Sequence, residues 1–165
     1  MAAKTFPSRE EALAAYNVQL VKSIKPGDVI DIVDLKNCGW MRHPVIIKSI
    51  RNGYIFGFEC TSSREPSTYK GWLEILDWEA EGFDAFCEYH TVKCDRVEAY
   101  DMRNVIARRG KATRRDLDRI EKEHARYLRY EGQGQTEAQA STMVETRKRE
   151  FNLLRSKAKP VLPMK

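Results

Sequence analysis

The chain has 165 residues, 42% of them hydrophobic and 32% charged, with a net charge of +5. That suits one soluble domain with a real core, or a small domain with an appendage. No apolar run reaches the roughly 18 residues that would span a bilayer, and Met1-Ala2-Ala3-Lys4-Thr5-Phe6-Pro7 lacks the apolar stretch of a secretory signal. A cytoplasmic protein without membrane contact is therefore expected, its four cysteines (Cys38, Cys60, Cys87, Cys94) reduced.

Charge is spread unevenly. Six acids and no Lys or Arg lie between Gly71 and Val92, whereas ten bases and four acids lie between Arg103 and Arg129. The basic segment alone exceeds the charge of the whole chain, and such asymmetry bears on partners more than the total does.

Ser8-Arg9-Glu10-Glu11 reads as a capping box, and Ala12, Leu13, Tyr16, Leu20 and Ile24 follow at helical spacing until Lys25-Pro26-Gly27 stops the helix. From Asp28 the pattern turns to short β runs. Val29–Val33 is rich in branched residues, and Pro44–Ile50 and Tyr54–Phe58 flank Asn52-Gly53, the dipeptide of a type I′ hairpin. Further strands are expected near Phe86–Lys93 and Asp95–Tyr100. Thr61–Ser67 reads as a loop, and Trp72–Trp78 as either a strand or a helical turn.

Helical periodicity returns after Met102, is broken at Gly132-Gln133-Gly134-Gln135, and restarts at a second capping box, Thr136-Glu137-Ala138-Gln139. Ala140, Val144, Phe151, Leu154 and Ala158 form one apolar face of the last helix, and Lys159–Pro163 an extended tail. The expected fold class is α+β: an N-terminal helix (1–25), a small SH3/Sm-like antiparallel β-barrel (26–102) and a basic two-helix extension (103–165).

The β segments resemble a WYL domain, an Sm-like barrel. The matching stretches are Ile30-Asp31-Ile32, Arg42–Ile47, Gly53–Phe58 and His90–Val97. This resemblance implies a pocket for nucleotides or oligonucleotides, with Tyr54 and Arg96 as the residues carried over.

On a helix over 114–131, Leu117, Ile120, His124, Tyr127 and Leu128 share one face, and Arg115, Arg119, Lys122, Arg126 and Arg129 the opposite one. Thr113 is the expected N-cap. A surface helix ordinarily carries charges opposite its buried face. Here four of the five stripe residues are arginine, suited to bidentate phosphate contacts, and Arg103, Arg108, Arg109 and Lys111 precede them in what reads as a mobile loop. Tyr54 and Phe56, with Phe58, alternate on one strand face, where aromatics serve either as core or as a base-stacking platform. Trp40, Tyr69 and Trp72 sit near loops and are stacking or partner-contact candidates.

Cys87-x-x-His90-x-x-x-Cys94 with Cys38 and His43 is the one metal-like spacing, but Cys87 and His90 fall on opposite strand faces, so no metal or cofactor is expected. Asp77, Glu79, Glu81 and Asp84 offer oxygen ligands for Mg²⁺, yet an acidic loop is more often solvated. No phosphate-binding Gly-rich loop, Gly-x-Ser-x-Gly or His-Glu-x-x-His occurs. The sequence thus points to a non-enzymatic nucleic-acid-binding protein, RNA or single-stranded DNA favoured, such as phage or regulatory genes often encode. The alternatives are a protein-interaction or inhibitor protein, or a homo-oligomer, acting through the acidic Trp72–Glu88 segment and the last helix, and a nucleotide-sensing barrel.

Overall fold

The computed structural model describes residues 17–33, 42–61, 71–83, 91–130 and 134–157. The first capping box, Ala12, Leu13, Tyr16, Trp40, Tyr69, Cys38, Cys87, His90 and the expected tail lie outside them. A helical stretch over 17–23 (α1) is followed by strands β1 (Asp28–Val33), β2 (Arg42–Arg51), β3 (Tyr54–Thr61), β4 (Trp72–Glu74), β5 (Thr91–Lys93), β6 (Glu98–Asp101) and β7 (Val105–Lys111). Helices α2 (Arg114–Tyr130) and α3 (Glu137–Lys157) complete the chain.

The α+β expectation holds. Seven antiparallel strands form one sheet in the order β4-β5-β3-β2-β1-β7, with β6 also on β3. Asn52 and Gly53 turn the β2–β3 hairpin with φ of 50° and 79°, as the dipeptide predicts. β3 is the pivot: Tyr54–Gly57 pair with β6, and Cys60–Thr61 continue onto β5.

Alternation gives the sheet two buried faces. Val29, Ile46, Phe56, Phe58, Cys60, Val92 and Cys94 join Ile75, Phe83 and Ile120 in one core. The intervening Ile30, Ile32, Val45, Ile47 and Ile55 join Ile24 and Val105 in a second, against which Leu20 of α1 packs. Tyr54, Phe56 and Phe58 thus serve the core more than a ligand: Phe56 and Phe58 are buried, so Phe56 has no face left for a base to stack on. Cys60 and Cys94 are buried free thiols.

The sheet is not closed by hydrogen bonding, because β4 and β7 lie at opposite ends of the strand order. The segment after β4, residues 75–83, runs back against β7 and seals that side. Backbone meets backbone there: a Cβ on Gly82 (φ +88°) would lie 2.2 Å from the Arg109 carbonyl oxygen, and one on Gly110 would lie 2.5 Å from that of Glu81.

Two expectations need correction. The basic stretch 105–111 is not a mobile loop but a strand on β1, so the sheet continues past Met102 to Lys111. Its arginines are held by acids of β1: Arg108 by Asp28 (3.2 Å) and Arg109 by Asp31 (2.6 Å). Trp72–Trp78 is neither all strand nor a helical turn; Trp72–Glu74 pair with β5 and the chain then turns. The run expected at Asp95–Tyr100 is the strand Glu98–Asp101, and of Phe86–Lys93 only Thr91–Lys93 is a described strand.

The C-terminal helices form as predicted. The Thr136 N–H donates to Gln139 Oε1 (2.8 Å) and the Gln139 N–H to Thr136 Oγ1 (3.1 Å), a reciprocal cap. Ala140 and Val144 are buried, while the Phe151 and Leu154 side chains and Ala158 are outside the described set.

The two glycines separate conformational from steric cost. Gly53→Ala meets nothing within 4 Å and pays only for its positive φ, about 1 kcal/mol, whereas Gly82→Ala also drives a methyl into backbone and should cost about 3 kcal/mol or more. Denaturant midpoints of the two variants, compared at equal m-value, check this order.

Candidate nucleic-acid interface and a buried carboxylate cluster

Helix α2 buries the predicted face. Ile120, His124 and Tyr127 are buried and Leu117 and Leu128 partly so. His124 Nδ1 lies 2.7 Å from the Cys94 carbonyl oxygen, which places the ring proton on that nitrogen, and the ring meets Phe58 edge-on at 5.2 Å. Thr113 caps the helix, its hydroxyl oxygen accepting the Asp116 N–H (3.3 Å).

The opposite face is basic, but much of it is already engaged. Arg115 pairs with Asp77 across the fold (2.6 Å), Arg119 with Asp116 (2.6 Å) and Arg126 with Glu123. Arg119 also donates to the Glu74 carbonyl oxygen (3.0 Å). Ahead of the helix, Arg103 is forked onto Asp101 (2.7 Å), and Arg108 and Arg109 are tied to β1. Among the described residues, Lys111, Lys122 and Arg129 stand exposed without an ion pair, and the nearly fully exposed Arg114 makes only a loose contact with Asp118 (3.8 Å).

Of the remaining candidates, Trp72 is half-buried on β4, its indole N–H donating to Asp95 (3.2 Å) while Lys93 Nζ lies 5.3 Å over its ring. Arg96, in the β5–β6 turn, pairs with Glu98 (3.4 Å). Tyr54 begins β3 and lies under Lys148 of α3 (4.6 Å).

The expectation of a solvated acidic loop holds for the exposed Glu79 but fails at Glu81. Glu81 is fully buried, Asp116 is 1% exposed, and with half-buried Asp77 their carboxylates offer oxygens all within 4.8 Å of one another. Asp116 Oδ2 accepts the N–H groups of Leu76 (3.0 Å) and Asp77 (2.9 Å). The Thr113 N–H donates to Glu81 Oε1 (2.9 Å), and the Thr113 hydroxyl to Asp77 Oδ2 (2.5 Å).

Burial, reinforced by the neighbouring Asp116, pushes the Glu81 carboxyl up to about 7. Burial works against charge on Asp116 too, but the Asp77 amide, the Glu81 carboxyl, the Arg119 guanidinium and the Leu76 amide outweigh it and hold that carboxyl below its usual range. Sequence could not show this pairing, since residues 77 and 81 are distant in the chain from residue 116. The same holds for Arg115 and Asp77, 38 residues apart.

No protein-family model and no curated protein sequence matches the chain. Solved structures do. An endoribonuclease in complex with its cognate antitoxin, from a mycobacterial species, aligns at a TM-score of 0.50 and 17% identity, covering 66% of this chain and 97% of that one. A second mycobacterial endoribonuclease aligns at 0.49 and 16%, covering 64% and 91%. A MazE–MazF structure from Deinococcus radiodurans aligns at 0.48 and 13%, covering 64% and 94%.

The first of these shows the fold. It corrects the expectation of a non-enzymatic protein: the architecture drawn here is that of a solved endoribonuclease, so the lack of familiar catalytic motifs is no argument against catalysis. These structures are also not WYL domains.

The free and tied cations should behave differently. K122E/R129E is expected to leave the unfolding midpoint unchanged within about 0.5 kcal/mol while weakening single-stranded RNA binding roughly tenfold at low salt. R119A should instead destabilise by about 1–3 kcal/mol, because it leaves buried Asp116 short of a donor. Thermal melts and fluorescence anisotropy at two salt concentrations distinguish the two behaviours.

Proposed function

We propose that the chain is an endoribonuclease that cuts single-stranded RNA and is bound by a protein partner, as the solved endoribonuclease of like fold is in complex with its cognate antitoxin. The observation that carries this reading is the fold match across 97% of an endoribonuclease chain. The exposed cations of α2 support it by suiting a phosphodiester ligand.

RNA carries its own nucleophile. Attack by the 2′-hydroxyl on phosphorus forms the new P–O bond and breaks the bond to the 5′ oxygen. The protein must take a proton from the first oxygen, return one to the second and steady the charge between them. The residue types for this work gather at one end of the sheet. Arg42 and His43 begin β2, opposite Val33 and Ile32 of β1. Thr61 ends β3 opposite Thr91, which begins β5 and also faces Glu74. Nearby on β3 and β5, the Glu59 carboxylate accepts from the Tyr100 hydroxyl (3.0 Å) and pairs with Lys93 (3.6 Å).

In this arrangement the proton transfer is assigned to His43, at the start of β2, and the positioning of the scissile group to Thr61, at the end of β3. The test is incubation of the purified chain with an end-labelled, unstructured RNA containing all four bases. Discrete fragments with 5′-hydroxyl ends are expected, along with a loss of at least a hundredfold in rate for H43A. Intact RNA after prolonged exposure to folded protein would overturn the proposal, and undiminished cleavage by H43A would move the chemistry away from β2.

A further inference from the structure

The buried end of the 75–83 segment carries a feature that RNA cleavage does not explain. Glu81 Oε1 accepts the Thr113 N–H, yet its fully buried Oε2 has no donor among the described residues, and it lies in a cluster with the oxygens of Asp77 and Asp116. A buried carboxylate oxygen without a partner is costly, and a second anion beside it raises the cost. Something positive must stand between them.

A divalent cation is the first candidate, but the surrounding donors argue against it. Asp116 already receives the Leu76 and Asp77 amides on one oxygen and Arg119 on the other, and Asp77 receives Arg115 and Thr113. Two guanidinium charges balance two of the three carboxylates, and one carboxyl is left to be neutralised. A proton does that without displacing any of these bonds.

We propose that Glu81 and Asp116 share one proton, and that this proton latches residues 75–83 across the open side of the sheet. The proton sits on Glu81 Oε2 and is donated to Asp116. Among the described residues, the groups facing the pair are Asp77 from the same segment, Thr113, Arg115 and Arg119 at the start of α2, Arg109 of β7, held by Asp31 and lying 5.9 Å over the Phe83 ring, and the buried Cys60 thiol of β3. None of them replaces the proton once it leaves. Two anions then face each other, and the contact that fastens the segment to α2 turns repulsive. Ile75 and Phe83, which this segment carries into the core, lose their cover from the β7 side.

The sign follows from linkage. Glu81 keeps its proton in the folded chain above its ordinary value near 4.5, so its contribution is full at low pH, declines as pH rises from about 4.5 towards 7, and is gone above that. Asp116, held low, acts oppositely and loses its contribution only as pH falls below the usual aspartate range.

The test is amide hydrogen exchange at pH 6 and pH 8.5, corrected for intrinsic rates, on wild type and Glu81→Gln, whose amide mimics the protonated acid at every pH. The Leu76, Asp77 and Thr113 amides should lose protection about tenfold or more in wild type and hardly at all in E81Q, while the Ile46 and Ile55 amides stay unchanged in both. Equal loss in both proteins, or none in wild type, would overturn the latch. Recovery of wild-type protection at pH 8.5 by about 5 mM MgCl₂, absent in E81Q, would overturn it in favour of a cation. Should E81Q not fold, the carbon-13 titration of the Glu81 carboxyl in wild type decides: a midpoint near 7 supports the shared proton, and one near 4.5 excludes it.

Discussion

The carboxylate of Asp116 is the joint on which the layers of this molecule meet. It lies in the first turn of α2, where the helix's unpaired amides and dipole favour an anion, and it is removed from water. A desolvated anion is tolerable only when its lone pairs are filled. The Leu76 and Asp77 amides and Arg119 fill them, and in doing so bind the turn after β4 to the start of α2. The remaining features at this corner follow: Thr113 serves both as cap and as donor, Arg115 reaches back to Asp77, and Glu81 is left as the group that must be neutral. A sheet of this strand order would otherwise have an open side between β4 and β7. Two glycines allow the backbones to meet there, and the carboxylates keep them together.

The charge asymmetry of the chain takes on a different meaning in three dimensions. The acid-rich and base-rich segments are not wholly separate surfaces: Arg115 of one pairs with Asp77 of the other, while the remaining ion pairs of the basic segment go to acids elsewhere. Arg115 and Arg119 engage the segment from Glu74 to Asp77, and Arg108 and Arg109 engage β1. Exposed pairs of this kind add little stability singly, but those to Asp28, Asp31 and Asp116 have one nearly buried member, so losing either partner strands a charge. Of the predicted helix stripe, Lys122 and Arg129 are the exposed cations without an ion pair among the described residues.

Local signals were the legible part of the sequence. Asn52-Gly53, the reciprocal cap of Thr136 and Gln139, and the apolar stripe Ile120–His124–Tyr127 each depend on neighbours within a turn or two, and each is realised. β7 was not legible, because Arg108-Arg109-Gly110-Lys111 lacks the apolar alternation of a strand and its partners Asp28 and Asp31 lie about 80 residues earlier. The burial of Glu81 was hidden for the same reason: its neighbour Thr113 is 32 positions away. Charged residues read as solvated unless their partners are known, and those partners are set by topology, not by spacing.

An RNA-cleaving site of the proposed kind need not leave a catalytic motif in the sequence. Motifs such as the nucleophile elbow exist because an enzyme must hold an activated side chain in a strained local turn, and phosphate loops exist because a free nucleotide must be cradled by consecutive amides. RNA scission by its own 2′-hydroxyl requires neither. The substrate brings the nucleophile, and the protein needs only a proton acceptor, a proton donor and a cation at the right separations. Those can come from the ends of different strands, single residues on β2, β3 and β5 that share no sequence window. What brings them together is the pairing of β3 with both β2 and β5, which is a property of the fold. That is why a site of the proposed kind leaves no trace in any one window of the sequence.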